Sequence, residues 1–273
     1  MDHFKDKVAV VTGGASGIGR ALCQELGRRG AVAIAADINA AGAQEVASAI
    51  TTTGGRAYAA HLDVSQAEDV KKLVDGTASK HGRLDYMFNN AGVAMAGEVR
   101  DTGLELWRRM VDVNLWGVIY GTTAAYALMV RQGFGHIVNT ASLAGLVGCP
   151  AVVPYAATKH AVVGLSTSLR AEAADLGVKV SVVCPGYVRT DIYDVATVLK
   201  VDRRDLFALI PFKGMDAAQA ARVVLRGVAR NRAIIAFPFH TRFAWWLYRL
   251  YPALLGLLTR RAVRMFRALR SGP

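Results

Sequence analysis

This 273-residue sequence predicts a doubly wound α/β fold, a seven-stranded parallel sheet flanked by helices. Three observations carry that prediction. Short runs rich in Val, Ile and Ala alternate with longer amphipathic stretches along most of the chain, the pattern of successive β-α-β units. The first run leads straight into a glycine-rich turn, Thr12-Gly13-Gly14-Ala15-Ser16-Gly17-Ile18-Gly19, and then into a helix-like segment. A hydrophobic fraction of 53% at this length supplies one large buried core.

In chain order, strands are expected at 7–13, 31–37, 57–63, 84–90, 136–142, 179–185 and 233–237, each a short apolar run. Helices are expected between them at 18–29, 40–52, 66–81, 104–131, 155–176 and 216–229. Two segments break the alternation. Residues 189–214 follow the sixth strand with no clean period and mixed charge, too long for a simple connection, and are read as a substrate lid. The second is a C-terminal extension, 239–273, appended to a catalytic domain spanning 1–238. Its apolar stretch 243–258 is interrupted by Arg249 and Pro252 and is shorter than a membrane-spanning helix requires. Thr259 then caps an expected amphipathic helix with Ala262, Met265, Phe266 and Leu269 on one face and Arg260, Arg264 and Arg267 on the other.

The formal charge of +12 is concentrated in that C-terminal part. Of 33 basic residues, 11 arginines lie in 217–273, which holds no acidic residue, leaving 22 basic against 21 acidic residues in the rest. A nearly neutral body argues against a nucleic-acid surface. Cys23, Cys149 and Cys184 are odd in number and widely spaced, and the N-terminus lacks a basic and apolar leader, so a reducing cytoplasm is expected. The six histidines, His3, His61, His81, His136, His160 and His240, form no ligand-spaced cluster, and no metal is expected.

The glycine turn falls at the carboxyl edge of the expected sheet, where open α/β folds bind ligands. Gly13 permits a tight turn, Gly17 the approach of a pyrophosphate, and Gly19 the packing of helix on strand. The helix start around Ser16 and Ile18 offers unpaired N–H groups to the anion. Asp37, 18 residues beyond Gly19, is placed to accept hydrogen bonds from the adenine ribose hydroxyls and to repel a 2′-phosphate. Neither Ser16 nor Ile38 supplies a cation for such a phosphate, so NAD is expected rather than NADP. A turn or helix-cap aspartate is the other reading of Asp37.

Thr-Gly-x-x-x-Gly-x-Gly at 12–19, Asn89-Asn90-Ala91-Gly92 and Tyr155-x-x-x-Lys159 together resemble the short-chain dehydrogenase/reductase family. The resemblance spans residues 7 to 190 and includes Asp63-Val64, Asn114, Ser142 and Pro185-Gly186-x-Val188-x-Thr190 at matching places. It implies a Rossmann-type fold with Asp63 and Val64 at the adenine, and Asn90, Ala91 and Gly92 on the adenosine side. Pro185, Gly186, Val188 and Thr190 would hold the nicotinamide and its carboxamide. It also implies that Asn114 holds a water in a proton relay and that the chain forms a homo-oligomer, a dimer or tetramer.

Moving a hydride between a carbinol carbon and a nicotinamide leaves the hydroxyl proton for the protein to handle. Tyr155 is the candidate acid/base. A free phenol has a pKa of about 10, so it needs a nearby positive charge to ionise near neutrality. Lys159, one helical turn later, supplies that charge and would also bind the cofactor ribose. Such a pair alone is common on solvated helix faces; Ser142, thirteen residues upstream at a strand end, singles this one out. Its hydroxyl would orient the substrate oxygen, although a strand-end cap is its plainer reading. Asn114 by itself also reads as a satisfied buried amide.

The stretch 143–154 carries no charge and is expected to line an apolar pocket through Ala144 and Cys149, with Tyr187 and Tyr193 as aromatic wall beside Ser142 and Tyr155. A bulky lipophilic alcohol, a steroid or an acyl lipid, fits such a pocket, as in hydroxysteroid dehydrogenase-like enzymes. Two tryptophans, two tyrosines and several arginines beside an apolar run suit peripheral membrane contact through 243–270. A subunit interface or a flap over the pocket is the alternative for the same segment. A catalytically silent NAD-sensing or membrane-tethering protein of this fold is the rival to an enzyme; such proteins usually lack the Tyr/Lys pair, which is present here.

Overall fold

Val8–Thr12 (β1) is buried along its whole length, as befits a Val-rich strand with helices on both faces. In the computed structural model, which describes residues 2–208 and 213–270, six further strands join it. They are Val32–Asp37 (β2), Arg56–His61 (β3), Tyr86–Asn89 (β4), Gly135–Thr140 (β5), Val178–Pro185 (β6) and Ile234–Phe237 (β7). All pair in parallel, in the order β7-β6-β5-β4-β1-β2-β3. The strand order reverses between β1 and β4, and the carboxyl ends of these two strands open the crevice in which doubly wound folds bind ligands.

The connecting helices are Gly17–Arg28 (α1), Ala40–Thr52 (α2), Ala67–His81 (α3), Leu104–Val111 (α4), Gly117–Gln132 (α5), Val153–Glu172 (α6) and Ala217–Ala229 (α7). Leu22 and Leu26 of α1, Val46 and Ile50 of α2, and Val224 and Leu225 of α7 share one apolar cluster with β1, β2 and β4. Val74 of α3 and Ala125 and Met129 of α5 share another, on which Val10, Ile34 and Ile137 also converge.

The helix expected at 104–131 is present as one helical run, Leu104–Gln132, with a π-bulge inside it. This π-turn over Asp112–Trp116 joins α4 to α5, and such turns frequently mark functional positions. The joined 104–132 segment is long and apolar enough to cross a membrane by composition, yet it packs Met110, Val118, Ala125 and Met129 inside the protein. Helix α6 starts two residues before its expected position, with Pro154 in its first turn, where a missing N–H costs nothing.

Within 189–214, helical turns cover Ile192–Val195 and Arg203–Ala208. Thr197–Val198 pairs with Met95–Ala96, and Val188–Arg189 with Met215–Asp216. Residues 209–212 of that segment lie outside the described residues.

The C-terminal segment forms two helices, Phe239–Leu250 (α8) and Pro252–Ala268 (α9). This corrects the expected boundary. Pro252 interrupts the apolar run as expected, but it does so by starting α9, so Thr259 is interior to that helix and not its cap, its hydroxyl donating to the Gly256 carbonyl at 3.0 Å. The inward face is also different: Val263 and Phe266 turn inward, whereas Met265 is 42% exposed.

Candidate active site

The glycine turn leaves β1 with Gly13 at φ +66° and Gly17 at φ +51°, a region that costs glycine little and other residues more. Gly19 works by proximity. A Cβ there would lie 1.9 Å from the Gly13 carbonyl oxygen, so its close contact is with the turn itself rather than with the strand expected from the sequence. Thr12, which sequence reading did not assign to the site, ties the turn to the end of β4. Its hydroxyl accepts the N–H groups of Asn90 at 2.9 Å and Ala91 at 3.0 Å, and the Asn90 side-chain amide donates to the Thr12 carbonyl at 3.1 Å.

Asp37 ends β2 facing the same turn. One carboxylate oxygen accepts the Ala15 N–H at 3.0 Å and the other the Asn39 N–H at 2.9 Å. The turn reading of this residue is therefore realised. It is a turn aspartate, the cap of α2 being Asn39, and a carboxylate has lone pairs remaining for ribose hydroxyls. Asp63 after β3 accepts the N–H and hydroxyl of Ser65, at 2.9 and 2.8 Å.

These residues line one cleft of about 690 Å³. Gly13, Ser16, Gly17, Ile18, Asp37, Asp63, Val64, Asn90, Ala91 and Gly92 contribute to its walls, and so do Ser142, Tyr155, Lys159, Pro185, Gly186, Val188 and Thr190. The cleft fits an extended dinucleotide. Two left-handed glycines bare the backbone where a pyrophosphate would approach, helix α1 opens there with no acidic residue in its first turn, and a fixed carboxylate stands beside it.

Tyr155 and Lys159 are one turn apart on α6. The Lys159 ammonium sits 5.5 Å from the centre of the Tyr155 ring and donates to the Thr140 carbonyl at the end of β5, at 3.0 Å. Burial draws the ammonium down to about 8. Burial also pushes the Tyr155 phenol up from its ordinary value, while a hydrogen bond with Ser142 pulls it back. The Ser142 hydroxyl accepts the Ala144 N–H at 3.2 Å, so its own proton is available to the phenol oxygen. The expected strand-end cap is thus realised, and the same hydroxyl reaches the phenol oxygen.

Beneath the site runs a buried polar network that sequence reading missed, since nothing in a lone Asn or Ser signals partners far away in the chain. Asn89 donates to Asn139 at 2.8 Å and to Thr122 at 3.2 Å, and Asn139 donates to Ser166 of α6 at 3.1 Å. It links two strands to α5 and α6, and so fixes the helix that carries Tyr155.

Asn114 lies in the π-turn, fully buried. Its amide is engaged at both ends by Val93, accepting the Val93 N–H and donating to the Val93 carbonyl, each at 2.9 Å. The reading of Asn114 as a satisfied buried amide is thus realised. It anchors the loop after β4 against the start of α5.

Tyr155 and Ser142 face a second cavity as well, of about 460 Å³. Tyr187, Tyr193, Met95 and Val152 are among its walls. Among the described residues lining it, His240 is the only titratable side chain apart from the tyrosines, and burial lowers its pKa from the usual imidazole value, so this described lining is uncharged at neutral pH. Ala144 and Cys149, expected here, are not among the residues lining it. Ala144 is buried beside Ser142, and Cys149 packs on the apolar cluster of Leu146, Val162 and Val182. As in the flap alternative for the C-terminal segment, Ala262, Val263 and Phe266 of α9 line it. Among the described residues no three His, Cys, Asp or Glu side chains gather as a metal site.

The family model described as short chain dehydrogenase matches residues 7–197. Cyclohexanol dehydrogenase of Acinetobacter sp. (strain SE19) is 40% identical over 194 residues, which cover 70% of this chain and 76% of that protein. A Mycobacterium tuberculosis (strain CDC 1551 / Oshkosh) protein named as an oxidoreductase, SadH, is 34% identical over 271 residues, 97% of this chain and 98% of its own. Among solved structures, a short chain dehydrogenase/reductase from Burkholderia phymatum in complex with NAD superposes with a TM-score of 0.81 at 28% identity, covering 100% of this chain and 99% of that one.

Proposed function

The chain belongs to the short-chain dehydrogenase family, and on that premise we propose that it is an NAD-dependent enzyme interconverting a bulky lipophilic secondary alcohol and its ketone. The observation that carries this is that Tyr155 and Ser142 stand on the wall shared by the dinucleotide cleft and the uncharged second cavity. When bound in the cleft, NAD would take up or return a hydride at the carbinol carbon. Tyr155 removes the hydroxyl proton in oxidation and returns it in reduction. Ser142 donates to the substrate oxygen and orients it, and the Lys159 ammonium favours the phenolate and holds the ribose. Asn114 fixes the Val93 loop and belongs to the proton relay behind Lys159.

The panel that tests this is cyclohexanol, a hydroxysteroid and a long-chain secondary alcohol, each with NAD and with NADP, followed by cofactor absorbance. Turnover with NAD is expected at a kcat/KM about tenfold or more above that with NADP, narrowing in Asp37→Ala. Absence of turnover on every alcohol would overturn the enzymatic reading, and a preference for NADP would overturn the role of Asp37.

The supply of an apolar substrate favours peripheral contact with an anionic lipid surface, with the enzyme a cytoplasmic homo-oligomer. Phe239, Phe243, Trp246 and Leu250 recur at helical spacing on α8 and are 77%, 59%, 64% and 57% exposed. Arg242, Arg260, Arg261 and Arg264 nearby have no carboxylate partner among the described residues, a combination suited to a headgroup layer. Full-length protein is expected to float with vesicles containing phosphatidylglycerol and not with pure phosphatidylcholine, and Phe243→Glu/Trp246→Glu is expected to stay in solution. Equal behaviour of the two proteins would remove this surface from the account.

A further inference from the structure

Helix α9 is mostly exposed, yet Phe266 on its last turns is only 3% exposed and, with Ala262 and Val263, closes one side of the second cavity. The residues that follow Phe266 anchor the helix to the body. Arg267 donates twice to the same Glu98 oxygen, at 2.9 and 2.6 Å. Arg270 forks onto both oxygens of Asp101, one bond at 2.8 Å, and reaches the second Glu98 oxygen at 3.5 Å. Residue 270 also forms an antiparallel bridge with Val201, in the 189–214 segment that supplies Tyr193 and Leu206 to the cavity.

The carboxylates are not placed at random. Glu98 and Asp101 directly follow Met95–Ala96, which lines the cavity and pairs with Thr197–Val198. The side chains of Arg270, Asp101 and Glu98 are 10%, 11% and 12% exposed, so these pairs are partly shielded from salt. The arginines hold both carboxyls below the usual carboxylate range, so the pairs persist at neutral pH. Bidentate Arg–carboxylate geometry fixes direction as well as distance, and it orients the last turns of α9 relative to the loop at 95–101.

We propose that α9 is a specificity-determining roof of the substrate site, held by Arg267 and Arg270 on Glu98 and Asp101, with Phe266, Ala262 and Val263 setting the size of alcohol accepted. The proposal rests on the reading of Tyr155 and Ser142 as the reacting end of the cavity. In it, Phe266 contacts substrate, whereas Arg267 and Arg270 act only by positioning the roof. The extension 239–273 thereby completes a site that the 1–238 domain leaves open on one side.

The experiment compares wild type with Phe266→Ala, Arg270→Glu, Asp101→Arg and the double swap R270E/D101R, using cyclohexanol and the larger cyclododecanol with NAD. Phe266→Ala is expected to shift the kcat/KM ratio of the two alcohols about tenfold toward the larger one. Each single charge change is expected to raise KM for cyclohexanol severalfold with little change in kcat, and the double swap to recover most of that loss. Limited trypsin digestion reads the roof without turnover. Cleavage at Arg260, Arg261 and Arg264 is expected to accelerate about tenfold in Arg270→Glu and to slow again in the double swap. An unchanged alcohol ratio in Phe266→Ala, or a swap that recovers neither KM nor protection in a protein that still folds by circular dichroism, would overturn the proposal. If wild type turns over neither alcohol, the enzymatic reading fails, and the digestion series alone decides whether the clamp exists.

Discussion

Tyr155→Phe is expected to lower kcat for alcohol oxidation by about a thousandfold near neutral pH while leaving NADH binding within twofold. The change deletes one oxygen and keeps the ring that fills the wall between the two cavities, so packing and cofactor affinity have little reason to change. What is lost is the group proposed to carry the proton. It faces the second cavity with the Lys159 ammonium 5.5 Å from the centre of its ring, and while burial pushes its pKa up, a hydrogen bond with Ser142 pulls it back. Steady-state kinetics and nucleotide fluorescence titration separate the two effects. Residual activity within tenfold of wild type would reassign the proton to another group.

Lys159→Met is expected to cost about a hundredfold in kcat/KM near neutrality and to move the acid limb of the oxidation profile to higher pH. The sign follows from the charges. Alcohol oxidation needs the phenolate; an ammonium beside it lowers the pH at which the phenolate forms, and a thioether does not. Burial places the ammonium at about 8, so in the free enzyme its help fades as pH rises past that value, whereas the phenolate gains. Ketone reduction, which needs the protonated phenol, is expected to weaken with rising pH.

The same burial gives a stability test. Lys159 binds its proton less readily folded than unfolded, so between about 8 and its ordinary value the unfolded chain holds more protons, and this group's contribution to stability rises with pH. Below that range an ammonium is held in a dry site at a cost. Lys159→Met removes the cost together with the hydrogen bond to Thr140, and its Tm at neutral pH is expected to lie within a few degrees of wild type despite the loss of activity. A collapse in Tm would make Lys159 a structural residue first.

The seven strands were legible because each is a short, mostly apolar run; the Val- and Ala-rich β1, β2 and β6 are buried on both faces, whereas the edge strand β3 mixes buried and exposed residues. The glycine turn, Asp37, Ser142 and the Tyr155/Lys159 pair were legible because their spacing within one turn, strand end or helix encodes their geometry. Less legible was what those residues do for their neighbours. Thr12, Thr140 and the Asn89–Asn139–Ser166 network hold the site through partners that no local pattern announces, the members of that network being 50 and 27 residues apart. Asn114 was legible by position, but only the fold shows Val93 engaging its amide.

The C-terminal helices mark the boundary most clearly. Their amphipathic character, their arginines and the absence of acid beyond Asp216 are properties of the sequence, and by themselves suit a membrane surface, a subunit interface or a flap equally. An amphipathic helix states that one face must be covered without stating by what. The covering partner is set by where the end of the chain falls in space. Only the folded chain brings Arg267 and Arg270 to Glu98 and Asp101, some 170 residues earlier, and so lays Phe266 over the cavity beside Tyr155. The sequence alone determined the sheet, the glycine turn and the residues proposed to react, because local spacing encodes them. Tertiary structure alone decided which walls close around the substrate, because those contacts join segments with no relation along the chain.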